Sequence, residues 1–174
     1  MLGIFTNRPM SAEDLPSVGG FQAFHPFLRG VFSQWHATPF DLEGVRFVTA
    51  EQWMMFAKAR LFNDQRTADA VLSTSDPSEQ KRWGGRVKPF HQEVWDRWKL
   101  EIVYRGNLAK FGQNPGALRQ LRATSSAMLV EANPRDWIWG VGLSADDPAV
   151  NEPSAWRGEN LLGRILTRVR RDLA

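Results

Sequence analysis

Apolar positions recur at helical spacing along most of the chain, and the segment Glu51-Gln-Trp-Met-Met-Phe-Ala-Lys58 carries the pattern furthest. At ~100° per residue, Glu51, Met54, Met55, Lys58 and Phe62 fall on one narrow stripe, while Trp53, Phe56 and Ala57 cover the other side. A helix with two apolar sides is expected to be buried. Thr49 is its expected N-cap, and Glu51 falls in the first turn, where the helix dipole favours negative charge. The spacing predicts this helix over about residues 50–62, ending near Asn63-Asp64. A second helix is predicted over about 65–73, and Asp76-Pro77 opens a third. Trp83-Gly84-Gly85-Arg86 reads as a break. A long helix follows from Glu93 to about Phe111, with Val94, Trp95, Trp98, Ile102 and Leu108 on its apolar face. Pro115 starts another, reaching about Ala123. The last helix is predicted from about Gly158 to Leu173, with Leu161, Leu162, Ile165, Leu166, Val169 and Leu173 toward the core and Arg164, Arg168 and Arg171 outside.

Extended pieces are expected to be short. Phe24, Phe27, Phe32, Trp35 and Phe40 form an aromatic stretch broken by Pro26, Gly30 and Pro39, and residues 41–48 read as a hairpin turn followed by a strand. Met128-Leu-Val-Glu-Ala132 has the length of a further strand. Residues 1–20 lack periodicity and are rich in Pro, Gly and Ser. The expected fold is therefore mainly α: a single multihelical domain over 23–174 with a few short β-strands near the N-terminal third, preceded by an arm or loop over 1–22.

Composition narrows the chemistry. Eight Trp and eleven Phe stand against one Tyr, and indole serves both cores and ring-stacking pockets. The formal net charge of +3 suits a phosphate-bearing small ligand or occasional nucleic-acid contact rather than the dense basic stripe of a dedicated DNA binder. The absence of cysteine excludes thiolate nucleophiles, disulfides and Cys-based zinc sites. His25, His36 and His91 are scattered, so no histidine metal centre is expected. No apolar run approaches ~18 residues, so no membrane span is expected. No basic segment followed by an apolar one marks a signal peptide, and the expected location is the cytoplasm.

Three segments are candidates for function. Glu51 and Lys58 lie seven residues apart on a helix expected to be buried, where an ammonium is costly unless paired, deprotonated or put to use. One reading makes Glu51 an acid/base carboxylate beside a nucleophilic or electrostatic lysine; the other is an ion pair at a helix rim, with Lys58 reaching water. Asp136-Trp-Ile-Trp139-Gly-Val-Gly142 reads either as a wall that stacks a nucleobase and accepts its N–H groups, or as a Trp-rich core corner with turn glycines. Trp156-Arg157-Gly158-Glu-Asn160 reads either as a phosphate site at a helix start or as an ordinary helix start with a surface arginine. Lys81-Arg82-Trp83-Gly84-Gly85-Arg86-Val87-Lys88 is a basic stretch that reads either as a phosphate contact or as a solvated loop, the latter for Lys81 and Lys88.

Taken in order, these motifs resemble the NADAR family, also called YbiA-like. The resemblance rests on Phe32-Ser-Gln-Trp35 with Pro39-Phe40, Ala50-Glu51 through Lys58-Ala59, Val94-Trp95-Asp96, Asn107-Leu-Ala-Lys110-Phe111, Leu129-Val-Glu-Ala132, Asp136 through Gly142, and Trp156 through Gly163, and it spans about residues 24–172. It implies a mainly helical N-glycosidase that cleaves the bond between a ribosyl C1 and a nitrogen base, without a metal or organic cofactor. Two substrate groups are implied: ADP-ribose attached to guanine in nucleic acid, which the enzyme removes as the antidote to an ADP-ribosyltransferase toxin, and phosphorylated ribosylamino-pyrimidine intermediates of riboflavin biosynthesis. The alternative is a non-catalytic module binding ADP-ribose or a nucleotide. The resemblance assigns catalysis to Lys58 and Glu51 with Asp136 as its motif aspartate, and substrate binding to Trp95, Trp139, Trp156 and Asn160; Trp35 is added as a stacking residue, and Arg157 and Gly158 as the candidate phosphate site. The chain departs from the family at His36, where Tyr or Phe is usual, and at Trp83-Gly84-Gly85-Arg86.

Overall fold

The computed structural model describes residues 2–6 and 8–174; residues 1 and 7 of the expected arm lie outside the described residues. Six α-helices and four short strands are present among the described residues, and none of the helices is long and apolar enough to cross a membrane. The chain falls into two compact units, one of residues 1–11 and 34–114, the other of residues 12–33 and 115–174.

The first unit is built around α1 (Ala50–Leu61), with α2 (Gln65–Leu72), α3 (Pro77–Gly84) and α4 (Gln92–Gln113) packed against or beside it. These bounds follow the apolar spacing to within about two residues. Every residue of α1 from Ala50 to Ala57 is buried, as two apolar sides require. Its start is locked by a buried polar network. The Thr49 hydroxyl accepts from the Gln52 amide (3.0 Å) and donates to Gln80 Oε1 (2.7 Å). Gln52 Nε2 donates to the carbonyls of Val71 and Thr74, and Gln80 Nε2 also donates to Thr74. One patch of side chains thus ties together the start of α1, the end of α2 and the middle of α3.

Two helical glycines let α1 come close to its neighbours. A Cβ at Gly106 of α4 would lie 2.3 Å from Trp53 Cδ1, and one at Gly84 of α3 would lie 1.9 Å from Met55 Sδ. The fully buried Trp53 also donates from Nε1 to the Ile102 carbonyl (2.7 Å), so its indole has no freedom to retreat. The break expected at Trp83–Arg86 coincides with the end of α3, whose last residue is Gly84 and whose C-cap is Gly85. In the same unit β2 (Phe40–Leu42) and β3 (Val45–Phe47) form an antiparallel hairpin. Its turn, Glu43-Gly44, takes positive φ at both residues (53° and 76°), the geometry that fits a two-residue hairpin.

The second unit pairs β1 (Phe24–Phe27) in parallel with β4 (Met128–Glu131), and adds α5 (Pro115–Ala123) and α6 (Leu161–Asp172). α6 packs against β4 so closely that a Cβ at Gly163 would lie 2.1 Å from the Leu129 carbonyl oxygen. Thr167 Oγ1 accepts from the Leu129 amide (3.1 Å) and donates to the Gly163 carbonyl (2.8 Å). α6 starts at Leu161 rather than Gly158, because Asn160 adopts a left-handed conformation (φ 52°) that ends the preceding loop. The N-terminal segment is held rather than loose. Met10 donates its amide to Glu101 (3.2 Å) in the first unit, and in the second Arg164 and Arg168 donate to the carbonyls of Ala12, Pro16 and Asp14 (2.9–3.0 Å).

Lys110 of α4 is fully buried, and burial pushes its pKa down to about 7. Between about pH 7 and the ordinary value of 10.5 the unfolded chain therefore holds a proton there that the folded chain has released. Unfolding free energy should rise with pH across that window, by at most ~1.4 kcal/mol per pH unit. Urea melts between pH 7 and 10 should show this rise, and Lys110→Met should flatten it; identical pH dependence in the two proteins contradicts the assignment. Gly106→Ala should lower stability by about 1–3 kcal/mol through the clash with Trp53, despite alanine's ~1 kcal/mol advantage in a helix. A denaturation midpoint at or above that of the parent contradicts that packing argument.

Candidate active site

In the first unit the chemistry gathers on the Lys58 stripe of α1. Glu51 is buried in the first turn, and its amide donates to the Gln34 carbonyl (3.0 Å). Lys58 lies two turns on, about 10 Å along the axis, with a side chain long enough to lean back toward the helix start. Its Nζ sits 4.6 Å from the centre of the Phe90 ring and 5.3 Å from that of Trp95. Trp95 is buried near the start of α4, while Phe90 is partly open to solvent. Burial lowers the Lys58 pKa, and the Glu51 carboxylate opposes that shift by raising it. The result is a half-buried amine more readily deprotonated than a surface lysine, with a carboxylate close enough to feel its charge.

Trp35 follows directly on Gln34, whose side chain exchanges hydrogen bonds with Asn107 of α4 (3.1 and 3.3 Å). Trp35 is 45% exposed beside the backbone segment that binds Glu51, with the Lys81 amine 6.0 Å from its ring centre. His36 shares a 2.7 Å hydrogen bond with Thr38. Its pKa is lowered by partial burial and by the charge of Lys110.

The remaining candidates lie in the second unit. Asp136 Oδ1 accepts from the amides of Ile138 (3.0 Å) and Trp139 (2.8 Å), so half the carboxylate shapes the loop it opens. Trp139 is half-buried. Trp156 donates from Nε1 to the Val150 carbonyl (2.9 Å) and meets Phe24 edge-on, packed on a cluster of Val130, Ala132, Val141, Leu143 and Val150. Asn160 is fully buried, and both ends of its amide bind β4: Oδ1 accepts from Glu131 N (3.0 Å) and Nδ2 donates to Leu129 O (2.9 Å). Asn160 therefore positions the start of α6 and does not offer its side chain to a ligand.

The phosphate site expected at the start of the last helix needs correction. The amides of residues 157–162 all donate to carbonyls of the 137–141 segment, so none is left to hold an anion. Gly158 is required by close approach: a Cβ there would lie 2.3 Å from the Gly140 carbonyl oxygen. What remains for an anion is the exposed guanidinium of Arg157.

Phe90 and Trp137 are not singled out by the sequence pattern as candidates in their own right. Trp137 is 58% exposed, and a Cβ placed on Gly142 would meet both its ring (2.8 Å) and Arg157 Cβ (2.9 Å). Its place in the Asp136–Gly142 segment is a usable signal for a second indole; nothing local marks Phe90 as the partner of Lys58. Among the described residues no group of three or more His, Asp or Glu side chains is arranged to hold a metal ion.

The NADAR domain family matches residues 21–174. N-glycosidase R617 of Acanthamoeba polyphaga mimivirus is 42% identical over 82% of this chain and 86% of its own length. N-glycosidase YbiA of Escherichia coli is 30% identical over 83% of this chain and 82% of its own length. The NMR structure of E. coli YbiA superposes with a TM-score of 0.71 at 27% identity, covering 87% of this chain and 84% of that one. The chloroplastic riboflavin biosynthesis protein PYRR of Zea mays is 33% identical over 59% of this chain, which spans only 15% of the maize protein. With a domain match over nearly its whole length and relatives named as N-glycosidases, the chain belongs to the NADAR family and is an N-glycosyl hydrolase.

Proposed function

We propose that the protein hydrolyses the bond between a ribosyl C1 and a nitrogen base, with Lys58 as nucleophile and Glu51 as proton carrier. The observation that carries this reading is Lys58 itself: an amine held against Phe90 and Trp95, its pKa lowered by burial, on the same stripe as a buried carboxylate. A lone pair on Nζ is what attack at C1 requires, and the lowered pKa makes it available nearer neutral pH. The Nζ–C1 bond forms as the bond from C1 to the base breaks, and the base departs with a proton. The new secondary ammonium loses a proton to Glu51, the C1–O4′ bond opens to an iminium, and O4′ takes a proton. Water then adds at C1 and expels the amine, so one water is consumed per bond cleaved. Positive charge grows at C1 during the first step, and the Glu51 carboxylate stabilises it.

Asp136 is assigned to the departing base through Oδ2, since Oδ1 caps the loop. Trp35, Trp95 and Trp139 are assigned to base or ribose, Arg157 to phosphate, and Trp156, Gly158 and Asn160 to positioning.

The first substrate group is ADP-ribose on guanine in nucleic acid, removed as the counterpart of an ADP-ribosyltransferase toxin in the cytoplasm. The exposed indoles of Trp35 and Trp137 support it, because a base presented by a large substrate needs an accessible stacking face. The second group, phosphorylated ribosylamino-pyrimidines, is supported by the likeness to the maize riboflavin biosynthesis protein.

The test is incubation with an ADP-ribosylated guanine oligonucleotide and, separately, a phosphorylated ribosylamino-pyrimidine, with and without borohydride. Release of ADP-ribose or ribose phosphate and a reduced adduct on Lys58 are expected. Lys58→Ala should abolish the adduct, and Glu51→Gln should lower turnover by ~10²–10⁴-fold. Turnover by Lys58→Ala without any adduct in the parent refutes covalent catalysis, and tight binding without turnover identifies a reader rather than an enzyme.

A further inference from the structure

The second unit carries a basic cavity that the glycosidase chemistry does not use. It has a volume of about 820 Å³ and is lined by Arg122 from the last turn of α5, Arg170 and Arg171 from the last turn of α6, Ser125 and Ser126, and Phe21. No Asp or Glu side chain lines it. Ala174 also borders it, and a carboxylate at that residue would offset one of the three positive charges and leave two.

Arg170 is the informative member. It is 8% exposed, yet its one side-chain hydrogen bond goes to the Thr124 hydroxyl, which itself donates to the Leu121 carbonyl. Among the described residues no carboxylate pairs with Arg170, Arg171 or Arg122. Arg171 instead lies 5.5 Å from the centre of the Phe21 ring, and Arg122 donates to the Leu173 carbonyl. Burial and the neighbouring charge of Arg171 both act against the charged form of Arg170. Cations in a last helical turn gain from the helix dipole, but that preference requires neither a buried guanidinium nor a second one beside it. A nearly buried charge with donors to spare is stabilised by an anion.

We infer that this cavity binds the phosphate backbone of a single-stranded nucleic acid, with Phe21 as a stacking surface. The volume suits a ligand of drug size or larger, in the ~300–1,000 Å³ range of ligand pockets, rather than one phosphate. Several guanidiniums beside an aromatic ring match the way single strands are held, by backbone charge and base stacking. The site would hold the strand that carries a modified base, and in that respect rests on the nucleic-acid branch of the proposed function.

The test measures binding of an unmodified single-stranded oligonucleotide to the full chain by fluorescence anisotropy across salt concentrations, with inorganic phosphate and ADP-ribose as competitors. No turnover is involved, so its failure is distinct from failure of the glycosidase reading. The double variant R122Q/R171Q should weaken binding at least ~10-fold and reduce the log–log salt slope by about 0.7 for each phosphate that it no longer neutralises. Cleavage of a small free ribosyl substrate should be unchanged in that variant. Phe21→Ala should weaken binding while leaving the salt slope intact. Equal affinity and slope in R122Q/R171Q and the parent overturn the proposal. So does an oligonucleotide that fails to bind while phosphate or ADP-ribose is held by the same arginines, which would mark a small-anion site.

Discussion

The first unit depends on a helix with no solvent face. α1 is buried from Ala50 to Ala57, so each polar group it carries must be satisfied inside the fold. Thr49, Gln52, Gln80 and the Thr74 carbonyl form a closed network at its start, and each bond contributes on the order of 1 kcal/mol net. Breaking one partner costs more, because a buried donor or acceptor is then left without water. Gly84 and Gly106 remove side-chain bulk where α3 and α4 approach, and the Trp53 indole bonds to the Ile102 carbonyl across that narrow gap. The helix is thereby fixed from its start and along two flanks, and its orientation sets where Lys58 points.

That rigidity bears directly on the chemistry. An exposed lysine would stay protonated and hydrated. On α1 the amine is drawn between Phe90 and Trp95, where burial favours the neutral form and the rings favour the cation. Burial is the largest influence, and Glu51 tempers it. The pair thus sets two opposing influences on one proton, and a small change in either moves the amine between its two states.

Much of this fold is legible in the sequence because helical burial repeats locally. The spacing of Trp53, Phe56 and Ala57 against Met54 and Met55 states that α1 is enclosed, and Pro77 and Pro115 mark helix starts. What encloses it is a tertiary fact. Gly84 reads locally as a breaker and is the last residue of α3, but the sequence does not show that Met55 fills the space of its missing side chain. Nothing local in the sequence marks Lys110 as buried, yet it is fully enclosed. The loop of residues 157–160 resembles an anion site because its glycine and arginine precede a helix; the 137–141 carbonyls that take its amides are some twenty residues away in sequence. Glu51 and Lys58 stand out because a charge on an apolar helix is conspicuous without knowledge of its partners. Phe90 does not, since its relation to Lys58 exists only in three dimensions.

The central claim is that the fold lowers the pKa of Lys58 through burial while Glu51 holds it up. NMR titration of the lysine side-chain amines, with the Lys58 signal assigned by its loss in Lys58→Met, tests this without any substrate. The account predicts a midpoint below the ordinary lysine value of 10.5 and a further fall in Glu51→Gln, which removes the charge that opposes the shift. A Lys58 midpoint at or above 10.5, or one that rises in Glu51→Gln, contradicts it.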